Sequence, residues 1–387
     1  MSAAAQPLRS SVALLLGMLL LTSACSSSAE GEQRVLLALP AHLQLPVIPD
    51  TNPLTKEKIA LGRRLFYDTR LSGNRTQACA SCHVQELAFS DGKKTPTGSM
   101  GHVLRRNSPG LANIAYYSTL SWANDGITTL EDLLPVPIRG DNPIELGVTE
   151  RIEAEVLLRF DSDPTYQALF QSAFPDSSSG ATINKIILSL ASFCRTLIGG
   201  DSPYDRYLAG VESALTAQQR RGLALFNGER FECFHCHRGS HLSVSYRDAR
   251  TPLGSVQYPF FNNGLYNVDW KGSYPAYDQG LYDLTLNPEH RGLFRPPSLR
   301  NVAKTAPYMH DGSIPTLREV VLHYAAGGRV ISSGPYAGDG RRSPLKSGLV
   351  RGFQATDEEI DDVVAFLESL TDPTFLTNPA FSAPASD

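Results

Sequence analysis

Cys79-Ala80-Ser81-Cys82-His83 and Cys233-Phe234-His235-Cys236-His237 are two copies of one five-residue pattern in a chain of 387 residues. In Cys-x-x-Cys-His the two thiols are spaced to form thioethers to one porphyrin, and the adjacent His falls beneath the iron as its proximal ligand. A zinc site would need further Cys or His at regular spacing, and none follows either motif. The pattern therefore implies two covalently attached c-type haems, with Cys79, Cys82 and His83 holding one and Cys233, Cys236 and His237 the other. Of the six cysteines, four sit in these motifs, and Cys25 and Cys194 stand apart, so no disulfide framework is expected. Cys194 closes an apolar run from Ile186, where a thiol behaves as a small apolar residue.

The sequence around the motifs repeats too. Gly62-Arg63-Arg64-Leu65-Phe66 precedes the first and Gly222-Leu223-Ala224-Leu225-Phe226 the second, each helix opened by a capping Thr, Thr55 or Thr216. Ile183, Ile186, Ile187, Leu190 and Phe193 follow helical spacing, as do Ile360, Val363, Val364 and Leu367, where Thr356 and Glu359 have the form of a capping box. Two rounds of helix, loop, motif and closing helix suggest an all-α fold with long loops, made of two cytochrome c-like domains. The turn residues Gly199-Gly200-Asp201-Ser202-Pro203 mark the boundary, giving an N-terminal domain over 40–203, a C-terminal domain over 204–372 and a tail over 373–387. Between Arg247 and Pro297 the chain is rich in Gly, Pro and aromatics with little periodicity; so long a loop is usually functional, and its Tyr and Phe content argues against disorder.

Arg9 ahead of an apolar run from Val12 to Leu21 reads as an export signal over 1–25, too short to span a bilayer. Leu21-Thr22-Ser23-Ala24-Cys25 has the form of a bacterial lipoprotein processing site, with Cys25 as the lipidated residue and 26–39 as a tether; an ordinary signal with an incidental Cys is the alternative. A periplasmic protein results, with a lipid anchor to the outer membrane if Cys25 is processed. A net charge of -4 supplies no basic field for nucleic acid.

The first motif, Arg106-Asn107-Ser108-Pro109, Asn142-Pro143-Ile144-Glu145-Leu146-Gly147 and the run from Ser298 to Gly312 together resemble the bacterial di-haem cytochrome c peroxidase and MauG family over about residues 40 to 370. The resemblance implies a peroxide-reactive haem on His83, with Glu145 as the distal carboxylate that moves the peroxide proton and Pro137 beside it, although Arg139-Gly140 lengthens the spacing by two. A solvated loop carboxylate is the bland reading of Glu145. The distal Gln of MauG maps onto Leu133. On the second haem the family's peroxidases carry a Met where this chain has Tyr324, as MauG-like enzymes do; His323 and Met309 are the other side chains that could ligate. A phenolate favours ferric and higher-valent iron over the ferrous state. The resemblance also implies calcium on the Asn107 side chain and the Thr305 and Pro307 carbonyls, and a bridging indole at Trp122, offset by two residues from the usual Trp-Asp-Gly.

His102 matches a peroxidase loop ligand only with a shortened spacing and reads as a surface residue. Trp270 is a surface relay or a packing residue, and Phe231 stands where MauG has a surface Trp. Within the family, the wording from Arg64 to Asn74 and from Thr119 to Asn124 looks most like the MbnH-type enzymes, which convert a Trp of a periplasmic partner to kynurenine. The resemblance thus implies a peroxide-activated oxidase that oxidises a side chain of a partner protein at long range. The alternatives are a peroxidase fed by a small cytochrome or cupredoxin, and a di-haem electron carrier. Denatured protein should retain two haems per chain, with Cys82→Ala or Cys236→Ala each loosening its own haem alone. Haem extractable from the wild type under acidic organic solvent would refute this.

Overall fold

The computed structural model describes residues 30–385; the expected signal segment, with Cys25, lies outside them. The described chain is mostly helical. In order, the helices are α1 (residues 30–36), α2 (Lys56–Tyr67), α3 (Leu130–Leu133), α4 (Pro135–Arg139), α5 (Glu150–Asp161), α6 (Pro164–Ala173) and α7 (Ile183–Arg195). They continue with α8 (Pro203–Leu208), α9 (Ala217–Phe226), α10 (Tyr282–Thr285), α11 (Leu317–Ala325), α12 (Asp357–Glu368) and α13 (Pro373–Thr377). A short antiparallel ribbon pairs β1 (Val330–Ile331) with β2 (Gly338–Asp339). No described helix is long and apolar enough to cross a membrane.

Each motif is carried by a helix that crosses another at backbone contact. Thr55 caps α2 by accepting from the Lys58 amide at 3.2 Å, and Thr216 with Gln219 closes a capping box on α9. A Cβ on Gly62 would stand 1.9 Å from the Ser189 carbonyl oxygen of α7, and one on Gly222 would stand 1.9 Å from the Asp362 carbonyl oxygen of α12. The repeated glycine in the sequence is therefore a crossing point, where only the absence of a side chain lets the two backbones meet. Around the first crossing Leu61, Leu65, Phe66, Ile186, Leu190 and Phe193 are buried in one apolar core. Around the second, Phe226, Val321, Ile360, Val363 and Phe366 form another. Cys194 is buried within the first core as a free thiol.

Three stretches differ from the sequence reading. Of the expected tail 373–387, the residues described, to 385, pack back on the molecule: Phe375 and Phe381 are buried in the first core, and Gln85, Tyr67 and Arg63 bond the carbonyls of Asn378 (2.9 Å), Phe381 (2.6 Å) and Ser382 (2.6 Å). The burial of two aromatic side chains and these hydrogen bonds oppose the entropy lost on ordering the chain end. Within the expected tether 26–39, residues 30–36 are helical and Leu37 packs with Leu43, Leu54, Tyr116 and Ile198. The turn at 199–203, expected as a boundary, is held firmly by buried polar groups. Asp372 accepts from the Gly200 and Asp201 amides at 2.9 and 3.0 Å, and Asn113 bonds Gly199 in both directions. The aromatic stretch after Arg247 is ordered: Leu265, Tyr266, Tyr274 and Phe294 join Ala123 and Ile314 in a third small core, with Trp122 and Met309 against it.

An alanine at Gly62 or Gly222 must push the crossing helices apart, at the upper end of the cost of overpacking, about 3 kcal/mol. Thermal unfolding of the holoprotein should fall clearly for Gly62→Ala and Gly222→Ala, and stay unchanged for Gly254→Ala, where a Cβ meets nothing within 4 Å. Equal melting of all three would remove the crossing from the account.

Candidate active site

The first motif folds as a tight turn in which the Cys82 and His83 amides both reach the Cys79 carbonyl, at 3.2 and 3.0 Å. This turn presents both sulfurs and the imidazole to one side. The His83 Nδ1 lies 2.6 Å from the Phe89 carbonyl, to which it donates, so the Nε2 lone pair is left for a metal. Phe89 holds that carbonyl in place from a left-handed backbone, φ 61°. The second motif repeats the device. Cys236 and His237 amides reach the Cys233 carbonyl, and His237 Nδ1 faces the Leu242 carbonyl at 3.3 Å, again from a left-handed residue, φ 53°. Burial holds the His83 imidazole below its usual pKa and lowers that of His237 to about 4, so both are neutral and able to ligate. Among the described residues no three His, Cys, Asp or Glu side chains converge on a point, so neither motif has the further ligands that zinc requires.

A cavity of about 230 Å³ opens beside the second motif. Cys233, Cys236 and His237 line it together with Phe226, Phe231, Leu317, Val320, Val321, Phe353 and Leu367, a largely apolar wall suited to a porphyrin face. The residues present fit a covalent haem. Tyr324 on α11 also lines the cavity, and burial raises its phenol pKa to about 12. Met309 lines it as well, with its sulfur 3.3 Å from the Asn263 amide nitrogen. His323 is buried on another side of α11, and its Nε2 meets the Asn263 carbonyl at 3.0 Å. Of the three side chains that could ligate opposite His237, Tyr324 and Met309 reach the cavity wall.

The first motif has the carboxylate near it. Burial pushes the Cys79 and Cys82 thiols up, and Glu145 adds to the shift of both, so its charge is felt at the attachment sulfurs. Burial alone raises Glu145 itself to about 7. It is not a freely solvated loop residue. Its backbone is fixed on both sides, the Glu145 carbonyl accepting from Ser99 at 2.7 Å and the Leu146 amide donating to Pro137 at 2.9 Å. Pro137 thus sits one hydrogen bond from the Glu145 loop. The two extra residues are absorbed by helix α4, which runs to Arg139 and closes with Gly140 bonding back to Val136. Leu133 packs against the first core.

Asn107, Thr305 and Pro307 line the same cavity wall as Trp122. Asn107 is buried and heavily used. Its amide donates to the His310 carbonyl at 2.8 Å, its Nδ2 to the Lys93 carbonyl at 2.8 Å, and its carbonyl accepts from Trp122 Nε1 at 2.9 Å. His102 is exposed and Trp270 is 59 % exposed, and neither lines this cavity. Phe231 is buried with its ring 4.2 Å from that of Phe353.

Sequence reasoning missed several residues of the wall. His310 stacks on Phe294 with ring centroids 3.6 Å apart, and behind the wall Arg106 pairs with buried Asp278 at 2.7 Å. Arg295, fully buried, lies 3.7 Å over the Tyr117 ring and bonds the Ser121 and Pro296 carbonyls. Only the density of aromatics around residue 294 hinted at this arrangement.

Known proteins agree with this geometry. Residues 56–213 match the family described as di-haem cytochrome c peroxidase. A cytochrome-c peroxidase, IdrP1, of Pseudomonas sp. (strain SCT) is 37 % identical over 84 % of this chain and 83 % of its own. The methylamine utilization protein MauG of Methylorubrum extorquens is 31 % identical over 92 % of each chain. A crystal structure of a MauG-like protein associated with microbial copper homeostasis is 47 % identical and superimposes with a TM-score of 0.87, covering 89 % of this chain and 98 % of that one. With two haem-binding motifs folded on the same plan, an apolar cavity at the second and relatives matched along most of its length, this chain belongs to the di-haem cytochrome c peroxidase/MauG family of oxidoreductases.

Proposed function

We propose that this protein is a periplasmic, peroxide-activated oxidase of the MauG kind, which withdraws electrons at long range from a side chain of a partner protein, with Trp as the first candidate. The observation that carries the reading is Tyr324, a phenol that lines the same cavity as the His237 motif. The 47 % identical relative associated with copper homeostasis directs the search for the partner toward copper-binding proteins. The apolar cores around α2 and α9 fit two cytochrome c-like units, 40–203 and 204–372, with the chain's end returned to the first. Export over 1–25 and lipidation at Cys25 complete the proposal for location.

When bound, the two haems supply the redox chemistry, storing and passing electrons at iron. The chain's own residues do the rest. His83 and His237 are oriented by their Nδ1 hydrogen bonds, and Arg295, a buried cation lining the second cavity, would pair with a haem carboxylate. The Glu145 carboxylate takes a proton from the nearer peroxide oxygen and returns it to the departing one, which is general acid–base work by a group whose pKa of about 7 suits both halves. Pro137 crowds the same loop and limits water there. Trp122, held by its Nε1 on Asn107, offers an oxidisable indole in the wall of the second cavity. The Asn107 side-chain oxygen with the Thr305 and Pro307 carbonyls is the proposed calcium site.

A second reading rests on Met309. Its thioether also reaches the cavity, and a Met ligand would suit a peroxidase that takes electrons from a small cytochrome or cupredoxin. Ligand variants separate the two. Tyr324→Phe should open or rearrange the second haem, and Tyr324→Met should restore six-coordination, raise its potential and abolish oxidation of the partner. A low-spin signal unchanged in Tyr324→Phe would favour Met309 and the peroxidase.

Glu145 supplies a separate test. Because burial raises its pKa, the carboxylate form is scarce at pH 5 and complete above about 8, so the rate of peroxide reaction should rise through pH 7. Glu145→Gln should slow the reaction by about 100-fold or more and flatten that profile with both haems retained. An unaltered stopped-flow profile would return Glu145 to a structural role.

A further inference from the structure

The cavity of the second motif is joined to the surface by a run of tyrosines. His310 and Phe294 line the cavity. The fully buried Tyr274 packs 6.0 Å from the His310 ring and 5.8 Å from the Phe294 ring, centroid to centroid. Tyr266 follows at 5.4 Å, Tyr336 at a further 6.2 Å and Tyr277 at 5.9 Å, where the chain of rings ends on a side chain 44 % exposed. The inner end also approaches Tyr324, because the Tyr274 hydroxyl lies 3.4 Å from the Asn263 side-chain oxygen and Asn263 also bonds the Tyr324 phenol.

We infer that Tyr274, Tyr266, Tyr336 and Tyr277 form the route by which electrons from the partner protein reach the second-haem cavity, and that the partner's oxidisable side chain docks over Tyr277. The inference rests on the proposed function and supplies its missing exit. Phenols are, with indole, the common side chains that give up an electron most readily, and adjacent rings at these separations are in or near van der Waals contact. A phenol that loses an electron must also lose its proton, and the middle of the chain provides for this. The Tyr266 hydroxyl donates to Asp311 Oδ2 at 2.6 Å, and the Arg329 guanidinium lies 4.7 Å above its ring. Asp311 Oδ2 is thus already the acceptor on that phenol, 2.6 Å away and backed by the Ser313 amide on Oδ1 at 3.1 Å, and is the atom to which the proton can shift.

The balance closes with peroxide as oxidant. One hydrogen peroxide, two electrons and two protons give two waters. Each electron passes inward singly. Tyr266 yields an electron toward Tyr274 while its phenolic proton moves to Asp311. It recovers an electron from Tyr336 and its proton from Asp311. Tyr274 shifts its proton along its 2.9 Å bond to Asn262 Oδ1 and recovers it when refilled, while the partly exposed Tyr336 and exposed Tyr277 release and regain theirs through solvent; Tyr336 is refilled by Tyr277, and Tyr277 by the partner. After two such passages the partner side chain has lost two electrons and two protons.

Trp270 is more exposed than Tyr277, yet it makes no ring contact among the described residues and leads nowhere inward.

The test uses the holoprotein with hydrogen peroxide and a nitroso spin trap, and no partner. Trapped adducts are read by electron paramagnetic resonance and located by peptide mass mapping. Adducts are expected on Tyr277 or Tyr336, lost in Tyr266→Phe and retained in Trp270→Phe. Tyr336→Phe should also abolish the Tyr277 adduct, and it leaves the bond to Asp311 untouched should Tyr266→Phe disturb folding. Peroxide consumed with adducts only on other residues, or with a surface adduct that survives both Phe variants, would overturn the relay and leave the proposed function standing. If peroxide is not consumed and no protein radical of any kind appears, the proposed function fails and the relay falls with it.

Discussion

Two backbone-to-backbone helix crossings carry the architecture. At Gly62 on Ser189 and at Gly222 on Asp362 the helix leading to a haem motif meets the closing helix of its core without an intervening side chain. This contact brings Phe66 and Phe226 into their cores and starts each Cys-x-x-Cys-His turn from a rigid support. The proximal imidazoles then need only one further restraint each, the carbonyl of a residue held in a left-handed conformation. A covalently attached cofactor is positioned by such supports as much as by its thioethers, since the ligating nitrogen must point at one spot.

The regions between the cores are held by polar groups that are buried and paired. Asp205 is the clearest case. It caps its own helix through Ser202 and receives both guanidinium nitrogens of Arg300 at 2.8 and 2.9 Å, which, against the cost of burial, holds its carboxyl down at about 2. Breaking such a pair from one side leaves an uncompensated buried charge. Together with Asp372 on the Gly200 and Asp201 amides, it ties the start of α8 to the Ser298–Arg300 segment and to the C-terminal turn. The second cavity is therefore built from segments that cannot shift independently. Asn107 extends the same logic to the wall that contains Trp122, satisfying Lys93, His310 and the indole at once.

Electrostatics divides the two motifs in a way that suits different tasks. Glu145, near the first, is a carboxylate that burial leaves poised around neutrality. The wall near the second holds a phenol, a thioether and apolar rings together with Glu232, Arg295 and Arg300, while Asp311 and Asp278 lie outside it on Tyr266 and Arg106.

The sequence by itself determined whatever depends on short spacing. The two motifs, the Thr caps at Thr55, Thr216 and Thr356 and the buried helix around Cys194 are all local patterns, governed by bond lengths and by the helical period, whereas Tyr324 and Glu145 were singled out only by resemblance to a family. Even the crossing glycines were visible as a repeat, although not their reason. Tertiary structure alone decided the rest. That Phe375 and Phe381 return to a core begun more than 300 residues earlier, that His323 turns away while Tyr324 and Met309 face the cavity, that Asn107 meets Trp122 and His310, and that four tyrosines of one irregular stretch and its neighbours fall into line are contacts between distant segments. They follow from how whole cores pack against one another, and no period or spacing along the chain encodes that.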